Sequence, residues 1–382
     1  YTIIVIIKIL FMKKIITAIG LMSGTSCDGI DASIVKSNGE DILNLIGDYF
    51  FPYEEKSKFR IRKLKEKIDK VLDLEKNKSE IDDLEKEITF LHFQAITLLL
   101  KKLKINKSKI DLVGFHGHTI FHSFNDKKTK QLGDGKNLSK LTSLNVIYNF
   151  RENDLKNGGQ GAPLVPIFHK LLKKKLQLKT PAVFINIGGI SNLTYLDKKD
   201  EIISFDSGPG NFLIDKLLQL KSDDKMQFDK DGKIALKGRV DQNILDSYLS
   251  DPYYDSLPPK SLDVNDFNLS SIRGLSLEDS VTTLSELTVQ TIINSLNFFP
   301  KKPKIIVLCG GGRKNKYIYN RLKKISNILT QNMDNYKING DFIESQAFAY
   351  LAIRSFFKKP ITFTGTTGVS KPTMGGRLIK FR

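Results

Sequence analysis

Residues 14–35, KIITAIGLMSGTSCDGIDASIV, decide the fold reading. An apolar run from Ile15 to Leu21 gives way to a glycine-rich break, and apolar residues then alternate at Ile30, Ala32 and Ile34. Run, break and alternation predict a strand, a tight turn and a second strand. The ten positions from Gly20 to Gly29 hold three glycines, two serines, a threonine and an aspartate. So bare a backbone either closes an ordinary hairpin or aims main-chain N–H groups at an anion as a concave nest.

The design returns at residues 180–196, TPAVFINIGGISNLTYL, where an apolar strand, a turn at Gly188 and Gly189 and an alternating strand follow one another. Leu84, Ile88, Leu91, Ala95 and Leu98 recur at helical spacing within residues 70–104. A short strand at 110–119, IDLVGFHGHT, comes next, and the polar residues 123–142 read as a surface loop. EIISFDSGPGNFLIDKLLQL (201–220) reads as a strand entering a helix through a Gly/Pro elbow, and 223–275 as irregular. A helix over 277–298, a strand–triple glycine–helix unit at 304–325, a helix at 344–357 and a Gly/Thr-rich tail complete the chain. Alternating strands and helices over 382 residues predict an α/β protein of two similarly built lobes.

Composition narrows the function. With 40% hydrophobic and 27% charged residues the chain reads as globular. The net charge is +18, but only 10 of the 60 basic residues are arginine. Bidentate base and phosphate recognition favours arginine, so a lysine excess spread along the chain argues against a nucleic-acid partner. Cys27 and Cys309 stand far apart, outside any zinc or disulfide spacing, which suits a reduced, cytoplasmic setting. The first eleven residues, interrupted by Lys8, are too short to span a bilayer. Met12 reads as the natural start and residues 1–11 as an over-extended gene start.

No GxxxxGK[ST] loop occurs, and no GxGxxG follows a strand with an acid about 20 residues on. A bound nucleotide must therefore rest on other backbone. The two hairpin turns are candidates: Ser23, Thr25 and Ser26 add hydroxyl donors, and Asp28 could hold magnesium through water. CGGGRKN (309–315) puts three glycines between a strand and a helix, where a flat adenine or ribose can lie on bare main chain. Asp206, at the end of a strand before SGPGN, is placed either for a general base or for a helix N-cap. His116, His118 and His122 could contact a polar substrate or sit buried and hydrogen-bonded; on a strand they spread over about 20 Å, too far for one metal ion. Arg151 and Asp154 precede the bare GGQGAP loop, which suits sugar hydroxyls or a carboxylate but also fits a surface pair beside a turn.

In this order, GLMSGTSCDGID, GFHGHT, NGGQGAPLVP, FINIGGISNLTY, FDSGPGN, FDKDGKIALKG, PPKS and LCGGGRKN resemble the anhydro-N-acetylmuramic acid kinases, from about Ile15 to the C-terminus. The resemblance implies a two-lobed, duplicated ribonuclease H-like (actin-like ATPase) fold, each lobe on a five-stranded sheet, hinged over a central ATP/substrate cleft. It divides the chain at residues 12–145 and 146–382, with the C-terminal segment able to cross back to the first lobe. It implies that ATP and water convert 1,6-anhydro-N-acetylmuramic acid to its 6-phosphate, with magnesium as cofactor, in cell-wall recycling. By position, Gly24, Thr25, Ser26, Cys27, Asp28, Gly29 and Asp31 form the first phosphate hairpin, and Gly188, Gly189, Ser191 and Asn192 the second. Gly310, Gly311, Gly312 and Asn315 form the adenosine loop, and Asp206 is the base. His116, His118, Thr119, Arg151, Asp154, Gly159, Gln160, Gly161 and Ala162 fall where the sugar is held.

The chain departs from the family pattern at Asn149, where an aspartate is usual, at Lys156, where an alanine is usual, and at LDVND (262–266) after PPKS. These departures bear on sugar affinity more than on reaction class. An actin-like ATP-binding module, a kinase for another small sugar and, last, a histidine metal hydrolase remain as alternatives. A homodimer is left open, and no membrane partner is expected.

Overall fold

The computed structural model describes residues 14–24, 26–223, 225–262 and 267–381. The expected start at Met12, the Thr25 hydroxyl and most of the 262–266 departure lie outside the described residues.

The opening stretch folds as a hairpin: β1 (Ile16–Ser23) pairs antiparallel with β2 (Gly29–Ser37), and β2 with β3 (Leu43–Pro52). Helices α1 (Glu55–Glu66), α2 (Val71–Lys76) and α3 (Lys78–Leu103) follow. Next come β4 (Leu112–Ser123), β5 (Lys128–Leu132), α4 (Gly135–Thr142) and β6 (Asn145–Tyr148). Then come α5 (Glu152–Lys156) and α6 (Pro166–Lys175). The segment read as a surface loop is thus a strand and a helix. Lys128, Lys130 and their neighbours pair with β4 beyond a register shift, and Asp134 caps α4 by accepting from the N–H groups of Lys136 and Asn137. Polarity there marks an edge strand and a capped helix, not irregular chain.

After Lys175 the design repeats. Strands β7 (Ala182–Ile187), β8 (Ile190–Leu196) and β9 (Ile202–Pro209) form an antiparallel meander leading into α7 (Phe212–Lys221). The segment read as irregular contains α8 (Gln242–Leu249), N-capped by Asp241. Helix α9 (Leu277–Ser295), β10 (Ile305–Cys309), α10 (Lys316–Ser326) and β11 (Leu329–Asn332) follow. The chain closes with α11 (Ile343–Phe356), α12 (Thr364–Thr367) and β12 (Arg377–Ile379).

Two compact units result: Tyr1–Lys175 with Glu344–Thr364 and Gly368–Arg382, and Leu176–Ile343 with Gly365–Thr367. The expected division between 145 and 146 falls inside the first unit, because β6 pairs with β4 and with the C-terminal β12. The first sheet runs β12-β6-β4-β1-β2-β3 with β5 on β4, seven strands where five were expected; the second runs β11-β10-β7-β8-β9. Each contains an antiparallel meander whose first strand carries a parallel strand on its other side, with a further parallel strand beyond. This is the ribonuclease H-like arrangement, present twice.

Packing explains two glycines of the motifs. A Cβ on Gly20 would stand 1.9 Å from the Ser345 carbonyl oxygen, and one on Gly114 2.2 Å from that of Phe348. Both glycines let α11, with Ala349 and Ala352 buried, lie directly on β1 and β4. In the second unit the apolar faces of α7, α9 and α10 cover β7, β8 and β10 through Leu213, Leu217, Leu284, Leu287, Ile318 and Leu322.

Candidate active site

The first hairpin has two faces. Ser23 and Cys27 are buried, while Ser26 and Asp28 are exposed and Gly24 lies between these extremes. The inward face is wired: Tyr53 Oη donates to Ser23 Oγ at 3.0 Å, and Ser23 Oγ lies 3.0 Å from His118 Nδ1. His118 Nε2 is 3.5 Å from Cys27 Sγ. The main chain adds Tyr53 N–H to the Asp28 carbonyl at 2.9 Å and Cys27 N–H to the Gly24 carbonyl at 3.2 Å. Cys27 reaches a positive φ of 56° to turn inward. Burial pushes its thiol up to about 11, so it packs as a thiol and not as a thiolate. Cys27 and His118, expected at nucleotide and sugar, thus back the hairpin from beneath. Ser26 Oγ donates to Asp28 Oδ1 at 2.8 Å, which orients that carboxylate on the exposed face. Asp31 lies on β2 opposite Met22, and Gly29 starts β2 against the Phe51 carbonyl.

The three histidines separate because Gly117, at φ 76°, breaks the alternation of β4. His116 accepts a hydrogen bond from Arg151 Nε at 3.1 Å, and His122 Nε2 donates to the Gln160 carbonyl at 2.8 Å. Among the described residues no cluster of three His, Cys, Asp or Glu side chains could hold a metal. Thr119 Oγ1 accepts from Gln131 Nε2 at 3.3 Å.

Around the GGQGAP loop the expected sugar residues do come together. Arg151 Nη1 donates to the Gly161 carbonyl at 2.7 Å, and buried Asp154 accepts the Gly161 N–H at 2.7 Å. A Cβ on Gly159 would stand 2.2 Å from Asp154 Oδ2, so the glycine is what admits the carboxylate. Gly161 takes φ 73° beside His122, and Gln160 and Ala162 lie half-buried along the loop. Burial raises the carboxyl of Glu344, with Arg151 opposing. Sequence reading missed this acid, because at the start of an apolar helix it reads as a first-turn charge.

In the second unit the Gly188 carbonyl accepts from Asn211 N–H at 2.8 Å, and that of Gly189 from Gly210 and Phe212 at 2.8 and 3.1 Å. The second hairpin is therefore welded to the start of α7. Ser191, expected to face a phosphate, is buried with its hydroxyl against Ser207. Asn192 lies across β8 and β9 from Asp206.

Asp206 does not end its strand: β9 continues to Pro209, and the N-cap of α7 is Asn211. The helix-cap alternative is thereby removed. Asp206 is 8% exposed, and its Oδ2 accepts from Leu262 N–H at 2.9 Å.

Gly310, at φ 75°, opens a 3₁₀ turn through Gly311 and Gly312. Asn315 is the cap of α10, accepting from Ile318 N–H at 3.2 Å. Arg313 staples the turn: it donates to the Gly310 carbonyl at 2.9 Å and to Asp334 and Asp341 at 2.5 Å each. Among the described residues, a Cβ on Gly24 would meet only Ser26 Oγ at 3.9 Å, one on Gly188 nothing closer than 3.5 Å, and one on Gly311 nothing within 4 Å. Bare main chain with open space above it fits a nucleotide's phosphates and sugar.

Among the described residues no helix is long and apolar enough to cross a membrane. The family model for anhydro-N-acetylmuramic acid kinase matches residues 16–380. An anhydro-N-acetylmuramic acid kinase of Pelagibacter ubique is 44% identical, over 97% of this chain and all of its own length. Another, from Rhizobium etli, is 38% identical over 96% of this chain and 99% of its own.

Proposed function

The chain belongs to the anhydro-N-acetylmuramic acid kinase family, and we propose how its own residues divide the work of that reaction. The protein phosphorylates 1,6-anhydro-N-acetylmuramic acid while opening its anhydro bridge with water, a step of peptidoglycan recycling. The single observation that carries the division of labour is Asp206, a carboxylate held near the strand's glycine-rich end by Leu262 N–H and still 8% exposed.

Asp206 takes a proton from water as the water oxygen bonds to the anomeric carbon. The C1–O6 bond breaks, its electron pair stays on O6, and O6 bonds to the γ-phosphorus as the bond to ADP breaks. Phosphoryl transfer asks mainly for positioning and charge neutralisation. Gly24, Ser26 and Gly188 are assigned to the phosphates, and Gly310 to Gly312 to the adenosine. Asp28 would hold magnesium, which supplies charge neutralisation. Arg151, Asp154, His116 and the 159–162 loop hold the sugar, with Glu344 beside them. The cytoplasm is the assigned compartment.

Turnover in heavy-oxygen water tests this. One label at the anomeric hydroxyl and an unlabelled phosphate on the sugar are expected. Label in free inorganic phosphate would mean that water attacks ATP directly, and ATP turnover indifferent to sugar would favour the actin-like ATP module.

A further inference from the structure

Hydrogen bonds close a ring around Asp206. Tyr253 Oη donates to the Asp206 carbonyl oxygen at 2.6 Å, Lys260 Nζ donates to the Tyr253 carbonyl at 2.9 Å, and Asp206 N–H donates to the Lys260 carbonyl at 3.0 Å. Lys260 Nζ donates also to the Tyr254 carbonyl at 3.0 Å. Two residues past Lys260, Leu262 supplies the N–H that binds the Asp206 carboxylate.

Lys260 is only 6% exposed, an unusual place for a lysine. Its ammonium lies 4.5 Å from the ring centre of Phe298, 4.6 Å from Tyr253 and 5.9 Å from Phe205, the residue before Asp206. Ring faces and carbonyl oxygens offset part of the cost of burying the charge. Burial nonetheless pulls the group down to about 8, with Asp255 opposing. A lysine kept there at such a cost, hydrogen-bonded to the turn whose Tyr253 grips Asp206, needs a reason beyond filling space.

We propose that Lys260 is a positioning residue for Asp206: its ammonium ties the 252–255 turn to the 258–262 segment, and these two stretches hold the base through the Tyr253 phenol and through the main chain of Lys260 and Leu262. The inference rests on Asp206 being that base. Lys260 acts through the ring and through Leu262 N–H, a donor that favours the ionised carboxylate.

Lys260→Met fills the same apolar space but donates nothing, whereas Lys260→Arg keeps donors, charge and stacking on the rings. Both are assayed as the full chain with magnesium, ATP and 1,6-anhydro-N-acetylmuramic acid, beside Asp206→Asn and Tyr253→Phe. Lys260→Met is expected to lower kcat about 100-fold, the order lost on a 1 Å misplacement, with the KM for both substrates held. Lys260→Arg is expected to recover a large part of that loss, and Tyr253→Phe to lower kcat by less. A residue that only supported the fold would reduce the active fraction without the rescue by arginine. Wild-type kcat in Lys260→Met, with Asp206→Asn inactive, would overturn the role of Lys260 and leave the base assignment standing. An active Asp206→Asn would instead remove the base assignment and this proposal with it. If Lys260→Met fails to fold, Tyr253→Phe decides: unchanged kcat there overturns the ring.

Discussion

Arg151 Nε donates to His116 Nε2 at 3.1 Å, and this bond fixes the imidazole's tautomer. Because Nε2 accepts, the ring proton sits on Nδ1, which donates to the Gly117 carbonyl at 2.9 Å. Burial, with Arg151 adding to it, holds His116 well below the usual histidine range, so the ring stays neutral and serves to orient the guanidinium. Arg151→Ala removes this bond and the one to the Gly161 carbonyl. With the sugar loop no longer held by these two bonds, kcat/KM for the sugar should fall on the order of 10–100-fold, a loss of about 1.4–2.8 kcal/mol. ATP affinity should hold. Arg151→Lys cannot reproduce the two-pronged contact and should rescue little; a lysine variant with full kcat/KM would show that Arg151 does not shape the sugar site.

Gly310 and Gly311 separate structural from ligand-dictated glycine. A Cβ on Gly310 would stand 2.4 Å from Asn186 Oδ1 at a φ of 75°. Gly310→Ala should therefore lose roughly 1–2 kcal/mol or more in thermal unfolding. Gly311→Ala meets nothing within 4 Å among the described residues, so its unfolding temperature should be unchanged. If adenosine lies on this backbone, the KM for ATP in Gly311→Ala should rise roughly tenfold, a loss of about 1.4 kcal/mol. An unchanged KM would take the nucleotide away from this loop.

Both hairpins, the strand–triple glycine–helix unit and the apolar helices were legible because periodicity and glycine breaks report local backbone directly. Side-chain direction was less legible. Gly117 and Cys27 adopt positive φ, and a twist of one residue sends His118 under the hairpin and His116 to Arg151. Period-two counting cannot see such a break. Arg313 and Lys260 were hidden for another reason: in a chain this rich in basic residues, a charge within a polar segment reads as solvated surface. Their partners, Asp334 and Asp341 for one and the carbonyls of Tyr253 and Tyr254 for the other, are brought to them only by the fold. The placement of Asp206 was not legible either, because β9 runs on through Ser207, Gly208 and Pro209.

Ser23 is the hub of the first hairpin's inner face. Ser23→Ala leaves the Tyr53 phenol and His118 Nδ1 without that partner, at sites 3% and 0% exposed. Unpaired buried polar groups cost about 1–3 kcal/mol, so chemical denaturation should register a loss of that order. The KM for ATP should rise as well, since Gly24 and Ser26 lose their backing. Lost stability with an unchanged KM would separate this network from the phosphates.

Four of the five histidines are buried neutral, which predicts acid lability well above the carboxylate range. Burial pulls His92 down to about 4 and His118 and His169 to about 3, and it lowers His116 too. Below pH 6.5 the unfolded chain takes up protons that the native state refuses. Stability is therefore fully present above the ordinary histidine pKa and is lost as pH falls toward the folded values. Each such group contributes up to about 1.4 kcal/mol per pH unit in that window. For His92, His118 and His169 together, the loss from pH 7.5 to 5.5 should be on the order of 4 kcal/mol by urea denaturation. His92→Gln should remove about one proton from the slope. A stability that stays flat from pH 7.5 to 5.5 would mean that these imidazoles accept protons in the folded protein, which their buried surroundings argue against.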